Sequence, residues 1–208
     1  MNHKIIIAGI GPGGNDYISP AAIKVIKSAN VLVGGRRALN QFATQNQITF
    51  PITGDISSVI KFIREKILID DVVVMASGDP GYYSILDTLR REFPESNLEV
   101  IPSISSMQLA FARLALSWYN ATLLSFHGRR PSDEALKFTE GKIIGMLTDG
   151  EYNSHTIPKI LMNLGWSADS KLAICSRLSY EDEKFIKTTL ENALNLEVVK
   201  HGILIVQS

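Results

Sequence analysis

The stretch Val72-Val73-Val74-Met75-Ala76-Ser77-Gly78-Asp79-Pro80-Gly81-Tyr82-Tyr83 switches from one backbone habit to another within a few residues. Its first half is a short apolar run rich in β-branched residues, the pattern of a strand buried on both faces. Gly78 and Gly81 open backbone angles closed to other residues, and Pro80 pre-sets a bend while removing a donor. Beyond them Ile85, Leu86, Leu89 and Phe93 return at helical spacing, which predicts a helix over 83–93. Strand, tight polar loop and helix in that order suit an open α/β sheet, whose ligands bind at loops on the carboxyl ends of strands. The same residues also fit an ordinary turn capped by Asp79.

The alternation repeats on either side. A strand over 4–8 runs into Gly9-Ile10-Gly11-Pro12-Gly13-Gly14. Ser19-Pro20 then pairs an N-cap with proline at the first helical position, predicting a helix to about Ser28. Strands are expected over 31–33, 48–51 and 98–101, with helices over 56–68 and from Ser106 to near Leu116. Gly34-Gly35-Arg36-Arg37 reads as a turn. This order predicts an α/β layer with a mainly parallel sheet. Leu116-Ser117-Trp118-Tyr119-Asn120 breaks the pattern and suggests an N-terminal α/β domain over 1–116 and a C-terminal α/β domain over 117–208. In the second domain, strands are expected over 122–126, 143–147 and 171–175, and helices over 132–138 and 157–164. A strand-like segment over 197–206 is interrupted by His201-Gly202, and a mixed sheet is predicted.

Lys and Arg total 21 against 21 Asp and Glu, so no global field points to nucleic acid or an anionic membrane. No apolar run approaches the ~20 residues of a membrane span. The apolar stretch over 5–10 is too short for a signal core and flows into glycines. Cys175 is the single cysteine, which excludes an internal disulfide framework, and four scattered histidines show no zinc spacing. A soluble cytoplasmic protein without a metal site, a nucleic-acid partner or a membrane partner is the expectation.

Gly9-Ile10-Gly11-Pro12-Gly13-Gly14 formally fits the G-x-G-x-x-G pattern of dinucleotide binders. That fingerprint needs a helix to begin within the glycines, whereas here the helix waits for Pro20. No acidic residue closes the second strand; arginines stand there, which keeps an NADP-dependent reductase as an alternative. Three loops, 9–14, 77–83 and 102–106, follow three strands and are rich in Gly, Pro and Ser. Parallel strands would bring all three to one sheet edge, suited to a ligand with a ribose, an adenine and a charged amino-acid tail. No Cys/His couple, triad or metal cluster accompanies them, so the catalytic residues stay unassigned. A reactive cofactor positioned by the protein is favoured.

Ordered along the chain, five segments resemble the motifs of the tetrapyrrole methylase family, the class III S-adenosylmethionine-dependent methyltransferases. They are the glycine-proline loop with Tyr17-Ile18-Ser19-Pro20-Ala21-Ala22, then Ala76-Ser77-Gly78-Asp79-Pro80, then Pro102-Ser103-Ile104-Ser105-Ser106. Leu147-Thr148-Asp149 and Leu178-Ser179-Tyr180-Glu181-Asp182-Glu183 complete the set. Within the family, Val33-Gly34-Gly35-Arg36-Arg37, Gly81-Tyr82-Tyr83 and His127-Gly128-Arg129 resemble members that methylate a meso carbon (C5) of a cobalt-precorrin in cobalamin biosynthesis. The resemblance implies two α/β domains with the active site in the cleft between them, a homodimer, and S-adenosylmethionine as cofactor with S-adenosylhomocysteine as product. It implies cofactor contacts at Pro12, Ser77, Gly78, Asp79, Tyr82, Ser105, Ser106, Leu147 and Leu178, and tetrapyrrole contacts at Tyr83 and His127. Since some counterparts are fused to a C15-methylating, decarboxylating domain, a separate subunit of that activity is the expected protein partner. Relatives of the fold that methylate ribosomal RNA or a diphthamide precursor are alternatives, with the balanced charge arguing against RNA.

Arg36, Arg37, Arg129 and Arg130 suit the carboxylates of such a substrate through their planar forks, or else lie in solvated turns. Trp118 and Tyr119 suit stacking on a macrocycle or core packing. His127 is a base or a structural histidine. Two positions depart from the family: Ser103 stands where glycine is usual, and Cys175-Ser176-Arg177 where an acidic or amide residue is commoner.

Overall fold

Two sheets organise the chain, which is described here for residues 3–208 in a computed structural model. The first two positions of the expected N-terminal domain lie outside the described residues. The chain separates into two units, Met1–Ser105 and Ser106–Ser208.

In the first unit, β1 (Ile5–Gly9), β2 (Val31–Gly34), β3 (Ile48–Pro51), β4 (Val72–Ala76) and β5 (Leu98–Ile101) form a parallel sheet. Its order is β3-β2-β4-β1-β5, with every ladder parallel. The strand period of two divides the apolar runs between two layers. Ala8, Leu32, Val73 and Met75 pack with residues of α1 (Pro20–Ser28) and α2 (Arg36–Phe42). Ile5, Ile7, Val33, Val72 and Val74 pack with residues of α3 (Ile56–Lys66) and α4 (Leu86–Glu92). β4 is buried along its whole length because both faces are covered.

The α1 start follows its sequence signals: the Ser19 hydroxyl accepts from Ala22 N–H at 3.1 Å and Pro20 opens the helix. Arg36 and Arg37 differ from expectation. They are not a turn but the first turn of α2, capped by Gly35, because Ala38 and Leu39 behind them are buried. Core packing there outweighs the glycine punctuation. The helix expected from 83 begins at Leu86, since Tyr83 takes a left-handed φ of 47° that ends any helical run.

In the second unit, α5 (Ser106–Arg113) precedes β6 (Thr122–Ser125), α6 (Asp133–Leu136), β7 (Ile143–Leu147), α7 (Thr156–Asn163), β8 (Lys171–Ser176), β9 (Lys184–Thr189) and β10 (Ile203–Gln207). The sheet runs β6-β7-β10-β8-β9; β6 and β7 are parallel and the other ladders antiparallel. One face carries Ile144, Met146, Leu172, Ile174, Leu204 and Val206 against Ile157 and Leu161 of α7. Gly145 points to the opposite face, where α5 packs. A Cβ at Gly145 would sit 2.6 Å from the Met107 sulfur and 2.9 Å from a Phe111 ring carbon. That contact groups α5 with the second sheet, ahead of the sequence break at 116.

β9 was not anticipated, since its lysines mask its alternation. The expected strand over 197–206 narrows to Ile203–Gln207. Gly202 sits so close to β8 that a Cβ would lie 2.4 Å from the Cys175 carbonyl. Among the described residues, no helix is long and apolar enough to cross a membrane.

Candidate functional site

β4, β1 and β5 are neighbours in one parallel sheet, so the loops that follow them share its carboxyl edge. The first two loops continue the pairing beyond the strands. Gly78 N–H donates to the Gly11 carbonyl at 2.8 Å, and Gly11 N–H to the Gly78 carbonyl at 3.3 Å. Both glycines hold left-handed angles, φ 71° and 70°, which a side chain would oppose. Asp79 then links the second loop to the third. Its Oδ1 accepts from Gly81 N–H at 2.8 Å and its Oδ2 from Ser103 N–H at 3.0 Å. The Ser103 hydroxyl donates to the Tyr17 carbonyl at 3.3 Å, tying the third loop to the segment after the first. The serine at the usual glycine position thus adds a fastening to the loop set. Packing is tight below: a Cβ on Gly9 would lie 2.7 Å from Ser103 Cβ and 2.8 Å from Pro80 Cδ.

Asp79 therefore serves the turn and also the assembly of the three loops. Gly78 and Ser105 are buried, Pro12 and Asp79 half-buried, and Ser77 exposed. Tyr82 and Tyr83 meet edge to face with ring centroids 4.9 Å apart. The Tyr82 hydroxyl is buried without a hydrogen-bond partner among the described residues. Burial, and next the neighbouring Tyr83, push its pKa above the usual tyrosine value, so it stays a neutral donor. A buried unpaired hydroxyl is costly, which makes it a natural contact for a polar ligand group. At the same edge of the sheet, after β2, Arg36 and Arg37 lie exposed in the first turn of α2.

A second carboxylate fastening occurs in the second unit. Asp149, after β7, accepts from Gly128 N–H at 2.9 Å in the loop after β6. It also accepts from Glu151 and Tyr152 N–H at 2.9 and 2.7 Å. The Gly128 and Tyr152 amides chiefly hold its pKa below the usual carboxylate range. Asp149 thereby fixes the 127–130 loop, in which His127, Arg129 and Arg130 are exposed. Arg130 is paired with Asp133 at 2.5 Å, in the first turn of α6. Leu147 is half-buried at the end of β7, Leu178 is buried in the hairpin between β8 and β9, and Ser106 opens α5.

Of the cofactor candidates, Pro12, Ser77, Gly78, Asp79, Tyr82 and Ser105 fall in the first unit, and Ser106, Leu147 and Leu178 in the second. Trp118 and Tyr119 are not core residues, being 47% and 88% exposed. Cys175 is buried, and burial, then the Glu183 charge, raise its thiol to about 12, which disfavours the thiolate that a cysteine nucleophile needs. No group of three or more His, Cys, Asp or Glu among the described residues could hold a metal ion. Sequence reasoning missed the Gly11–Gly78 pairing, Asp149 as a loop anchor, and an Arg113–Glu183 pair in the second unit. For the last, no spacing signal exists, because its partners stand 70 positions apart.

Residues 4–194 match the model of the Tetrapyrrole (Corrin/Porphyrin) Methylases. The chain belongs to this family. Among its relatives, the probable cobalt-precorrin-7 C(5)-methyltransferase of Methanocaldococcus jannaschii is 29% identical over 202 residues, covering 92% of each chain. The cobalt-precorrin-7 C(5)-methyltransferase of Salmonella typhimurium is 31% identical over 183 residues, covering 86% of this chain and 88% of its own. The fold matches the precorrin-6Y methylase of Archaeoglobus fulgidus with a TM-score of 0.74 at 23% identity, over 99% and 98% of the two chains. It also matches the uroporphyrin-III C-methyl transferase of Thermus thermophilus, solved with S-adenyl homocysteine, with a TM-score of 0.78 at 20% identity, over 99% and 97%. This tetrapyrrole methylase is an S-adenosylmethionine-dependent methyltransferase. The glycine-lined edge and the unpaired Tyr82 hydroxyl fit a nucleoside-bearing cofactor.

Proposed function

We propose that this tetrapyrrole methylase methylates C5, a meso carbon, of a cobalt-precorrin in cobalamin biosynthesis. One observation carries the proposal. Relatives named for C5 methylation of cobalt-precorrin-7 match 92% and 86% of the chain at 29% and 31% identity. Against this, a cobalt-precorrin-4 C(11)-methyltransferase matches at 24%.

S-adenosylmethionine supplies an electrophilic methyl group, so no protein nucleophile has to carry it. The work left to the chain is binding and alignment. Pro12, Ser77, Gly78, Asp79 and Ser105 present a rigid edge to the cofactor, with Asp79 holding the loops in register. The Tyr82 hydroxyl donates a hydrogen bond to it. In the second unit, Ser106, Leu147 and Leu178 are further cofactor contacts. Arg36, Arg37, Arg129 and Arg130 bind substrate carboxylates, and Tyr83 and His127 contact the ring. The enzyme acts as a cytoplasmic homodimer, which rests on family resemblance. A separate C15-methylating, decarboxylating subunit is its partner. Supporting this, the precorrin-6Y C(5,15)-methyltransferase [decarboxylating] of Sinorhizobium sp matches 86% of this chain with only 43% of its own length.

The test is turnover with isotope-labelled S-adenosylmethionine against a panel of cobalt-precorrins that differ in which ring carbons are already methylated. Acceptance only of substrates open at C5 supports the proposal; acceptance only at C11 overturns it. Thermal protection by S-adenosylhomocysteine but not by NADPH separates it from a reductase.

A further inference from the structure

The hairpin between β8 and β9 carries two non-glycine residues in the left-handed region, Arg177 at φ 51° and Ser179 at φ 74°. A side chain opposes such angles, so they persist only where the surroundings enforce them. Leu178 lies between them and is only 4% exposed, although it sits in a connecting loop. Side-chain contacts brace this turn from two directions, besides the backbone bonds from Tyr180 N–H to the Arg177 carbonyl and from Glu183 N–H to the Tyr180 carbonyl. On the exposed side, Arg177 pairs with Asp182 and covers the Tyr180 ring at 5.0 Å. Exposed pairs of this kind contribute little.

The other set is better shielded. The Glu183 carboxylate, 19% exposed, accepts from the Ser179 amide at 2.8 Å through Oε2. Arg113, in the last turn of α5, clasps the same carboxylate in a two-pronged pair. Its Nε donates to Oε1 at 2.6 Å and its Nη2 to Oε2 at 3.1 Å. The geometry is therefore a relay. α5 orients Arg113, Arg113 fixes the plane of the carboxylate, and the carboxylate holds the amide of a strained residue beside Leu178.

We propose that Glu183 and Arg113 are positioning residues for cofactor binding, holding the 177–179 turn so that Leu178 is presented to S-adenosylmethionine. This rests on the proposed function, in which Leu178 touches the cofactor. Glu183 acts through the Ser179 amide rather than by touching the ligand. Its role therefore depends on accepting that N–H and not merely on charge pairing.

Four variants separate these roles, each measured for S-adenosylhomocysteine affinity by calorimetry and for urea stability. Glu183→Ala should weaken affinity by roughly tenfold, the size expected for one charge-assisted hydrogen bond. Ser179→Gly adopts the left-handed angle without strain, so adding Glu183→Ala to it should cost about threefold or less. The charge swap Arg113→Glu with Glu183→Arg restores an ion pair but offers the Ser179 amide no acceptor. Stability should return while affinity does not. Recovery of affinity in the swapped protein would overturn the relay, as would unchanged affinity in a folded Glu183→Ala variant. An equal penalty with and without Ser179→Gly would overturn it too, and the swapped protein, read against wild type, keeps the test decisive if Glu183→Ala folds poorly. Wild-type protein that fails to bind at millimolar ligand would overturn the functional reading along with the relay. Normal wild-type binding with insensitive variants would overturn the relay alone.

Discussion

Asp79→Ala removes both acceptors that join the second loop to the third. The Gly81 amide is exposed, so water can replace the carboxylate, and this loss should cost about 0.5–1 kcal/mol. The Ser103 amide is partly buried, and losing a charged acceptor there should cost about 1.5–3 kcal/mol. Loop relaxation that lets water reach Ser103 would recover part of this, so a net loss of about 2 kcal/mol is expected. Asp79→Asn keeps one carbonyl acceptor and should lose about half as much. Ser103→Gly keeps the amide bond to Asp79 and gives up only the hydroxyl contact to Tyr17, so its loss should be about 1 kcal/mol. Urea unfolding with unchanged slope measures the stability difference. Calorimetry with S-adenosylhomocysteine measures whether the loop edge still binds. If Asp79→Ala loses less than about 0.5 kcal/mol and binds the ligand normally, the carboxylate is only a turn residue and the assembled edge does not depend on it.

Gly9→Ala should destabilise by about 1–3 kcal/mol and weaken cofactor binding, because its methyl group would meet Ser103 and Pro80 inside contact distance. A variant with wild-type melting temperature and affinity would show that the loops yield. Asp149 has a folded pKa held below its free value of 3.8, so its stabilisation is present above that value and lost as pH falls through the folded one. The stability advantage of wild type over Asp149→Asn should therefore be constant near neutrality and shrink below pH 3.8; an advantage that grows on acidification would refute the assignment. Arg37→Ala and Arg129→Ala should each weaken tetrapyrrole binding roughly tenfold and leave S-adenosylhomocysteine affinity unchanged. Arg36→Ala and Arg130→Ala are measured alongside, the Arg130 guanidinium being the one paired with Asp133. Normal tetrapyrrole affinity in all of these variants would make both basic segments solvated surface.

The first sheet was largely legible because its signals are local. Val72-Val73-Val74-Met75-Ala76 is apolar throughout, and Ser19-Pro20 announces a helix start that the structure places at Pro20. The convergence of three loops followed from strand order alone once the strands were parallel. What the sequence hid depends on distant partners. Two glycines before Arg36 suggested a turn, yet burial of Ala38 and Leu39 extends a helix back to Arg36. β9 escaped because Lys184 and Lys187 interrupt its apolar alternation, and its pairing with β8 decides its form. The Asp79 cap within its own turn was legible, but its link to Ser103 and the fastenings by Asp149 and Glu183 were invisible for a related reason. Each carboxylate meets a backbone amide, and backbone donors leave no mark in a sequence. The unpaired Tyr82 hydroxyl likewise emerges only when its neighbours are in place.

The most direct test follows a single turnover with S-adenosylmethionine carrying a ¹³C-methyl group and cobalt-precorrin-7, reading the product by NMR. The account predicts one labelled methyl bonded to C5 and an equivalent of S-adenosylhomocysteine, with no label on the protein. Label at any other ring carbon, or a methylated enzyme that later passes its methyl to the ring, would contradict it.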